Sequence, residues 1–193
     1  MDNHALLSFL SLAEKLKCNL RHSWTSSGRH ESVAEHSWRL CLFSWLIRPD
    51  FPELDMDKVQ LMCLFHDIGE AVTGDIPSFL KTAQHETRET EAIAGILKML
   101  DPAQSDQLTC LFTEMQEQKT KEARLFKALD KLEVVLQHNE APLETWLPLE
   151  YELNQTYGEE NVREFPALES FRKELKNMTI RLISGETSKT SEK

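Results

Sequence analysis

Apolar residues recur every three or four positions along most of the chain, which is the spacing of one face of a helix. This pattern predicts a first helix at about residues 3–19. Small and polar residues interrupt it at 20–30, where we predict a loop. Ser32 and Glu35 then form a capping box that opens a second helix. Because this helix is apolar on nearly all sides and ends before Pro49, we expect it to lie at the centre of the fold.

Helical spacing continues almost to the end of the sequence. A third helix begins near Asp55 or Asp57 and runs through HDIGEA until the segment TGDIP stops it. The sequence has no alternating strand pattern and no internal repeat. Further helices are predicted at about 84–100, 103–118, 120–139, 143–157 and 165–183. The expected fold is all-α, a single helical bundle at residues 1–183, followed by a disordered polar tail at 184–193.

Composition and charge restrict the class of protein. The chain has 193 residues, of which 40% are hydrophobic and 28% charged, as in one soluble globular domain. No apolar stretch approaches the roughly 20 residues that span a bilayer, and the start of the chain has no basic segment, so we expect no membrane span and no secretory signal. A formal net charge of −10 disfavours a nucleic-acid polymer or an anionic membrane as the partner.

The four cysteines form no recognisable motif. Cys18, Cys41, Cys63 and Cys110 include no C-x-x-C pair, and each lies in an apolar or helical context. Buried free thiols are the simplest interpretation, and they suit a reducing compartment. We therefore expect a cytoplasmic protein without a thiolate zinc site.

A polar pair, His66 and Asp67, stands directly after an apolar stretch that should be buried. Burying a polar side chain without a partner costs roughly 2–7 kcal/mol. A divalent metal would remove this cost, because imidazole nitrogen and carboxylate oxygen are good ligands for first-row metals. His36 on the second helix and Asp130 on the 120–139 helix could complete the set. Two nitrogens and two oxygens from three helices suit Mn, Co, Fe or Zn better than Ca.

Each of these residues also has a simpler interpretation. A single buried His36 is more often a core histidine with satisfied hydrogen bonds, and Asp130 more often forms an ion pair with Lys127, Lys131 or Arg124. We favour the metal because four such residues at apolar helix positions are much less expected by chance than any one of them.

Two more carboxylates follow His66 in the sequence. Glu70 lies four residues later, so a continuous helix would carry it on the same face, and Asp75 lies in the turn TGDIP. A hydrolase needs one group to deprotonate or orient water and another to protonate the leaving group, and these two residues could divide that work. The alternatives are a solvated charge at a helix end for Glu70 and a turn cap for Asp75.

Three blocks of the sequence resemble a known family. The order His, His-Asp, Asp is that of the HD-domain phosphohydrolases, an all-helical superfamily of metal-dependent phosphomonoesterases and phosphodiesterases. RHESVAEHS at 29–37, FHDIGEAVTGDIPS at 65–78 and KALDKLE at 127–133 resemble its bacterial 5'-deoxynucleotidase branch. The similarity extends over roughly residues 5–183, although the specific motifs occupy only these blocks.

The resemblance implies a metal centre between the central helices. His36, His66, Asp67 and Asp130 would hold the metal, and Glu70 would be the acid/base that activates water. The implied cofactor is one divalent transition metal, Co, Mn, Fe, Ni or Zn, with Mg also compatible.

The resemblance also implies substrate contacts. Arg21, fifteen residues before His36, would orient the phosphate, and a guanidinium can do so with two hydrogen bonds. Its alternative is a surface arginine. The family pattern has Trp after this arginine, whereas here His22 follows and Trp24 is the nearest aromatic, so selection of deoxyribose over ribose is left open. Asp75 would assist in proton transfer and contact the sugar. The sugar side would be lined by Ile76, Pro77 and Ser78.

The implied function is removal of the 5'-phosphate from (deoxy)nucleoside monophosphates, with a small nucleotide as the partner. A homodimer is also implied, to which exposed aromatics such as Trp146 or Phe165 could contribute. The alternatives are another HD hydrolase acting on a nucleoside triphosphate, an alarmone or a cyclic nucleotide, a non-catalytic metal- or nucleotide-binding module, and a purely structural helical protein. A longer substrate should need more basic residues than the loop provides in Arg21, His22, Arg29 and His30.

Overall fold

The computed structural model describes residues 2–185, which fold as a helical bundle with one short β-hairpin. The all-α prediction is confirmed. None of the helices in this range combines the length and the apolar character needed to cross a membrane. The hairpin strands are β1 (Leu20–Trp24) and β2 (His30–Ser32), and the helices are α1 (Asn3–Glu14), α2 (Val33–Leu46), α3 (Met56–Phe65), α4 (Glu70–Thr73), α5 (Ala83–Leu97), α6 (Pro102–Glu117), α7 (Lys121–Glu140), α8 (Glu150–Thr156), α9 (Glu159–Val162) and α10 (Pro166–Ser184).

Helix α7 forms the centre of the core. Helices α2, α3 and α10 pack against it. Complete burial of each of its leucines stabilises the fold by about 1.5–3 kcal/mol relative to exposure. The same inward side carries Asp130 and Glu133, so this helix both holds the core and positions polar groups. Its fully buried apolar side chains are Ala123, Leu125, Ala128, Leu129, Leu132 and Val135.

Helix α2 packs against α3 and α7, as expected of a central helix, but only one of its sides is buried. Its capping box is present, with Ser32 and Glu35 each accepting from the other's backbone amide. The buried side carries Leu40 together with polar residues, because it faces the polar interior around His36. The opposite side leaves four large apolar residues more than 40% exposed, namely Trp38, Leu42, Trp45 and Leu46.

The segment predicted as a loop at 20–30 contains a β-hairpin instead. Strands β1 and β2 are antiparallel, with Leu20 opposite Ser32 and Trp24 opposite His30. Gly28 in the connection has φ of 78°, which glycine adopts without steric cost. Short polar strands carry no periodic signal, which is why the pattern of apolar residues missed them. The hairpin fixes Arg21 and His22 on a strand beside the core.

The third predicted helix is broken at the His66–Asp67 pair. Helix α3 ends at Phe65, and the chain continues through turns to the short helix α4. The amide of Glu70 donates to the carbonyl of Asp67, an i to i+3 bond. Such bonds eclipse residues three apart, so Asp67 and Glu70 share a side. Gly69 lies against α5, where an added Cβ would stand 3.0 Å from Ile93 Cγ1.

The last third of the chain also differs from the sequence prediction. The helix predicted at 143–157 is a single 3-10 turn at Leu143–Thr145 followed by α8, and α9 was not predicted. Trp146 and Phe165 are buried, at 6% and 3% exposure, so they are not the exposed aromatics that we expected at a dimer interface. Both apolar rings pack into the fold, which is their more favourable environment.

The cysteines and the predicted tail differ in part from what the sequence indicated. All four cysteines are free, but only Cys63 is buried and Cys41 partly so, whereas Cys18 and Cys110 are exposed because they lie on the outer sides of their segments. The prediction that all are buried is therefore wrong for two of them. The predicted tail, 184–193, begins with the last residue of α10, and residues 186–193 lie outside the described part of the chain.

Candidate metal centre and active site

Four side chains from α2, α7 and the turn after α3 converge on one point. His36 Nε2 lies 3.3 Å from His66 Nε2 and 3.3 Å from Asp130 Oδ1. Asp67 Oδ2 lies 3.0 Å from His66 Nε2 and 4.0 Å from His36 Nε2. The structure thus brings together the four residues that the sequence suggested as metal ligands.

The hydrogen bonds of the two rings test whether this set fits a metal. His36 Nδ1 lies 2.5 Å from Glu133 Oε2, and His66 Nδ1 lies 3.0 Å from the carbonyl oxygen of Cys63. Since both partners are acceptors, each neutral ring carries its proton on Nδ1 and directs the Nε2 lone pair inward. Two lone pairs and two carboxylates facing one another repel unless a proton or a metal cation lies between them. The donor set therefore fits a divalent metal.

The charges around this point are strongly interdependent. Burial and Arg21 oppose protonation of His36, but Glu133 and Asp130 outweigh them and raise its pKa to about 10. Burial opposes ionisation of Asp130, yet Lys127, whose Nζ lies 2.8 Å away, and the histidines hold the pKa of that carboxyl well below its usual range. The site is thus built to retain positive charge among fixed carboxylates.

Glu70 lies beside this set and has an unsatisfied oxygen. The residue is 3% exposed, and its Oε2 has no hydrogen-bond partner among the described residues. Burial, Asp67 and Asp75 raise its pKa to about 9, while Lys81 Nζ, 4.0 Å from Oε1, acts in the opposite direction. A buried carboxyl with a raised pKa and a free oxygen in a cavity is suited to hold or take a proton.

Arg21 joins the hairpin to the carboxylates of the site. Its Nη1 lies 3.3 Å from Asp67 Oδ2 and 4.0 Å from Asp75 Oδ1, and its Nε lies 3.3 Å from Glu31 Oε2. Burial raises the pKa of Asp75, and Arg21 opposes that shift. The guanidinium is therefore held in place by carboxylates on several sides, with a planar group of donors at the cavity wall.

A cavity of about 650 Å³ opens in front of these groups. His36 lies behind its wall and is fully buried. Every other site residue suggested by the sequence lines this cavity. The cavity is also lined by acidic, basic and aromatic residues that the sequence did not suggest. The sequence-predicted lining residues are Arg21, His22, His66, Asp67, Glu70, Asp75, Ile76, Pro77, Ser78 and Asp130.

Sequence reasoning did not assign several residues of the site. Glu133 is 1% exposed and contacts both His36 and Arg39, so Arg39 stabilises the site from behind. The sequence could have indicated Glu133, because it lies three residues after Asp130 and therefore on the same inward side of α7. Lys81 could not be recognised, because it is placed by the fold of the chain after α4. The other unassigned residues are Glu31 and Lys127.

Arg29, a basic residue of the segment that was predicted as a loop, does not take part in the site. It is exposed and forms a two-pronged pair with Glu35, with Nη2 2.5 Å and Nη1 2.9 Å from the carboxylate oxygens. Arg29 therefore stabilises the N-terminal end of α2, where Glu35 belongs to the capping box.

Comparison with known proteins places this chain among relatives of defined fold. Residues 13–169 match a family model described as HD domain. A 5'-deoxynucleotidase HDDC2 of Dictyostelium discoideum is 33% identical over 147 residues, covering 71% of this chain and 76% of that relative. The 5'-deoxynucleotidase HDDC2 of Homo sapiens is 33% identical over 141 residues, covering 70% and 68%.

Solved structures give the same result for the fold. A protein of Magnetospirillum magnetotacticum, described as a predicted metal-dependent phosphohydrolase, aligns with a TM-score of 0.76 at 27% identity and covers 93% of both chains. A conserved hypothetical protein of Pyrococcus furiosus aligns with a TM-score of 0.65 at 28% identity, covering 89% of this chain and 98% of that one.

Proposed function

The chain belongs to the HD-domain family, and we propose that it is a metal-dependent phosphohydrolase that removes the 5'-phosphate from nucleoside and deoxynucleoside monophosphates. The observation that carries this proposal is the arrangement of Arg21, Glu70 and Asp75 around the four-residue set in one cavity. The relatives named 5'-deoxynucleotidase support the substrate class.

We propose that His36, His66, Asp67 and Asp130 hold the metal. Two imidazoles and two carboxylates favour Co, Mn, Fe, Ni or Zn, and Mg is compatible with the carboxylates. When bound, such a cation polarises a phosphoryl oxygen and lowers the pKa of water. Glu133 and the Cys63 carbonyl orient the two rings, so the protein's contribution is to fix where each Nε2 points.

Glu70 is proposed as the acid/base. Glu70 lines the same cavity as the ligand set, and its Oε2 has no hydrogen-bond partner among the described residues. The positive charge of a metal in the ligand set would favour the ionised form of Glu70, whose carboxylate could then accept a proton from water. Burial keeps bulk water from competing for that oxygen. Lys81, which also pairs with Glu89 at 2.8 Å, holds positive charge near the carboxylate.

Arg21 and Asp75 are proposed to orient the substrate. Arg21 presents fixed donors that can bind a phosphate with two hydrogen bonds. The raised pKa of Asp75, which arises from burial, suits proton donation to the departing sugar oxygen. The sugar side of the cavity would then be lined by His22, Ile76, Pro77 and Ser78.

The charge of the cavity favours a monophosphate over a longer phosphate chain. Lys81 and Lys127 line the cavity, but each is paired with a carboxylate, Glu89 and Asp130 respectively. Further phosphates would meet acidic residues of the wall rather than unpaired cations. This is the reason for preferring a monophosphate to a nucleoside triphosphate or an alarmone.

Replacement of the acid/base tests the proposal. Glu70→Gln should lower kcat on monophosphates by about 10²–10⁴-fold, because the amide cannot take the proton. Its metal content, measured by elemental analysis, should equal that of the wild type. Glu86→Gln, which removes an exposed carboxylate from the same cavity, is the control and should retain kcat within about threefold. If Glu70→Gln had the same kcat as the wild type on every accepted substrate, the acid/base role of Glu70 would be contradicted.

We further propose that two copies of the chain associate through the exposed side of α2. Trp38, Trp45 and Leu46 are 62%, 58% and 66% exposed on one face of this helix. Clustered apolar side chains of this size favour association over contact with water. Trp45→Glu should convert a dimer to a monomer in sedimentation velocity, and a wild type that sediments as a monomer would contradict the proposal.

We propose a cytoplasmic location because the cysteines are free thiols. All four thiols are free, including the exposed Cys18 and Cys110. A reducing compartment preserves such thiols, whereas an oxidising one does not. Fractionation of cells that express the protein, with detection of the chain in the cytosolic fraction, tests the location.

A further inference from the structure

A second group of ionisable side chains lies on the wall of the cavity, and none of them takes part in the proton transfers or the metal binding proposed above. His22 from β1, His138 from α7 and Glu150 from α8 meet at one carboxylate oxygen. Glu150 Oε1 lies 3.0 Å from His22 Nε2 and 2.9 Å from His138 Nε2. Three separate elements therefore deliver two imidazole nitrogens and one carboxylate oxygen to the same place.

Two of the three groups are fixed from behind. His138 Nδ1 lies 3.0 Å from the carbonyl oxygen of Val134, and the amide of Leu147 donates to Glu150 Oε2 at 2.6 Å. The side chains of His138 and Glu150 are 12% and 4% exposed. Each thus uses its far atom to hold its orientation and directs the near atom, Nε2 or Oε1, toward the cavity. Metal-binding histidines and carboxylates are commonly held in this way.

The hydrogen bond to Val134 determines what His138 presents to Glu150. A neutral ring that donates from Nδ1 has a lone pair on Nε2, and this lone pair faces the carboxylate oxygen at 2.9 Å. Of the two contacts to that oxygen, only the one from His138 has hydrogen-bond geometry. The arrangement therefore needs positive charge, either as a second proton on His138 or as a cation among the three atoms.

We propose that His22, His138 and Glu150 bind a second divalent transition metal of the Zn or Co class. Two imidazoles and one carboxylate form a known three-ligand set for such ions, and water from the cavity can fill the open positions. Mg and Ca are disfavoured because they prefer oxygen ligands. Coordination uses only Nε2 of His22, whose side chain is 25% exposed, so its ring still lines the cavity. This inference does not rest on the proposed function.

Metal stoichiometry tests the second site. Metal-free protein, prepared with chelator, is dialysed against Co²⁺ or Zn²⁺ and analysed for bound metal. The wild type should bind two ions per chain, and His22→Ala and His138→Gln should each bind one. His4→Ala, which removes an exposed histidine of α1, is the matched control and should bind two. Asp67→Asn should lose the ion of the first site and keep that of the second.

The outcomes separate this inference from the proposed function. This inference is overturned if His22→Ala and His138→Gln each bind as many ions as the wild type, or if Asp67→Asn removes every ion that the wild type binds. Because His138 is more buried, its variant is accompanied by a thermal unfolding scan, and His22→Ala gives the result if His138→Gln does not fold. Absence of phosphatase activity with two ions bound would contradict the proposed function alone.

Discussion

Replacing Glu133 by Gln tests how the metal centre is supported. Glu133 is 1% exposed on α7 and lies 2.5 Å from His36 Nδ1 and 2.6 Å from Arg39 Nε. Burial opposes its ionisation, but His36 and Arg39 lower its pKa, so it is a carboxylate. Gln has the same shape, yet it has one acceptor oxygen where the carboxylate has two. One of the two partners therefore loses its hydrogen bond.

Two effects of known size follow from these contacts. Loss of the group that orients a metal-binding histidine typically weakens metal affinity about 10–100-fold, which corresponds to about 1.4–2.8 kcal/mol. Breaking a buried ion pair by deleting one partner costs about 3–5 kcal/mol of stability. Since Gln retains one hydrogen bond, we expect a loss of about 1–3 kcal/mol in the metal-free protein.

Glu140 provides a matched control for the same substitution. It contacts the same arginine, with Arg39 Nη1 at 2.5 Å, but its side chain is 43% exposed. Glu140→Gln should change stability by no more than about 1 kcal/mol and leave metal affinity unchanged. Urea unfolding of the metal-free proteins and titration calorimetry with Zn²⁺ give the two quantities. Equal effects of the two substitutions would refute the reasoning.

Two further predictions concern the phosphate contact and the packing of the turn after α3. Arg21→Lys should lower kcat/KM on monophosphates about 10–100-fold, because a lysine cannot make two parallel hydrogen bonds, and an unchanged kcat/KM would contradict the assigned role. Gly69→Ala should destabilise the protein by about 1–3 kcal/mol in urea unfolding, since its Cβ would lie 3.0 Å from Ile93 Cγ1. Gly95→Ala, at a helical position where an added Cβ would meet no atom within 4 Å beyond the adjoining backbone of its own helix, should instead stabilise it by about 0.5–1 kcal/mol, and the same sign for both would be evidence against this account.

The residues of the candidate metal site could be predicted where a polar residue interrupts an otherwise apolar, helically spaced pattern. Asp130 lies on a long helix whose inward face follows from the spacing of its apolar neighbours, and His36 lies in the first turns of an apolar helix that was expected at the centre of the fold. The His66–Asp67 pair could be recognised because two polar residues after a buried stretch need partners. Polar residues in these three segments were sufficient to predict which side chains meet, although not the distances between them.

The remaining features depend on tertiary contacts that the pattern does not contain. The hairpin strands are short and polar, and pairing between them rather than local propensity determines that they form. The apolar sequence of α2 could not indicate which side faces the interior, and the structure turns Trp45 outward. His22, His138 and Glu150 come from distant parts of the chain and meet only through packing.

The central claim is that this site hydrolyses 5'-monophosphates with a divalent metal. The most direct measurement is phosphate release by chelated protein, before and after addition of Co²⁺, Mn²⁺ or Zn²⁺, from deoxynucleoside and nucleoside mono- and triphosphates and a cyclic nucleotide. The account predicts release from 5'-monophosphates only after metal is added, and little from triphosphates. Hydrolysis of a triphosphate or a cyclic nucleotide with none from any monophosphate would contradict it.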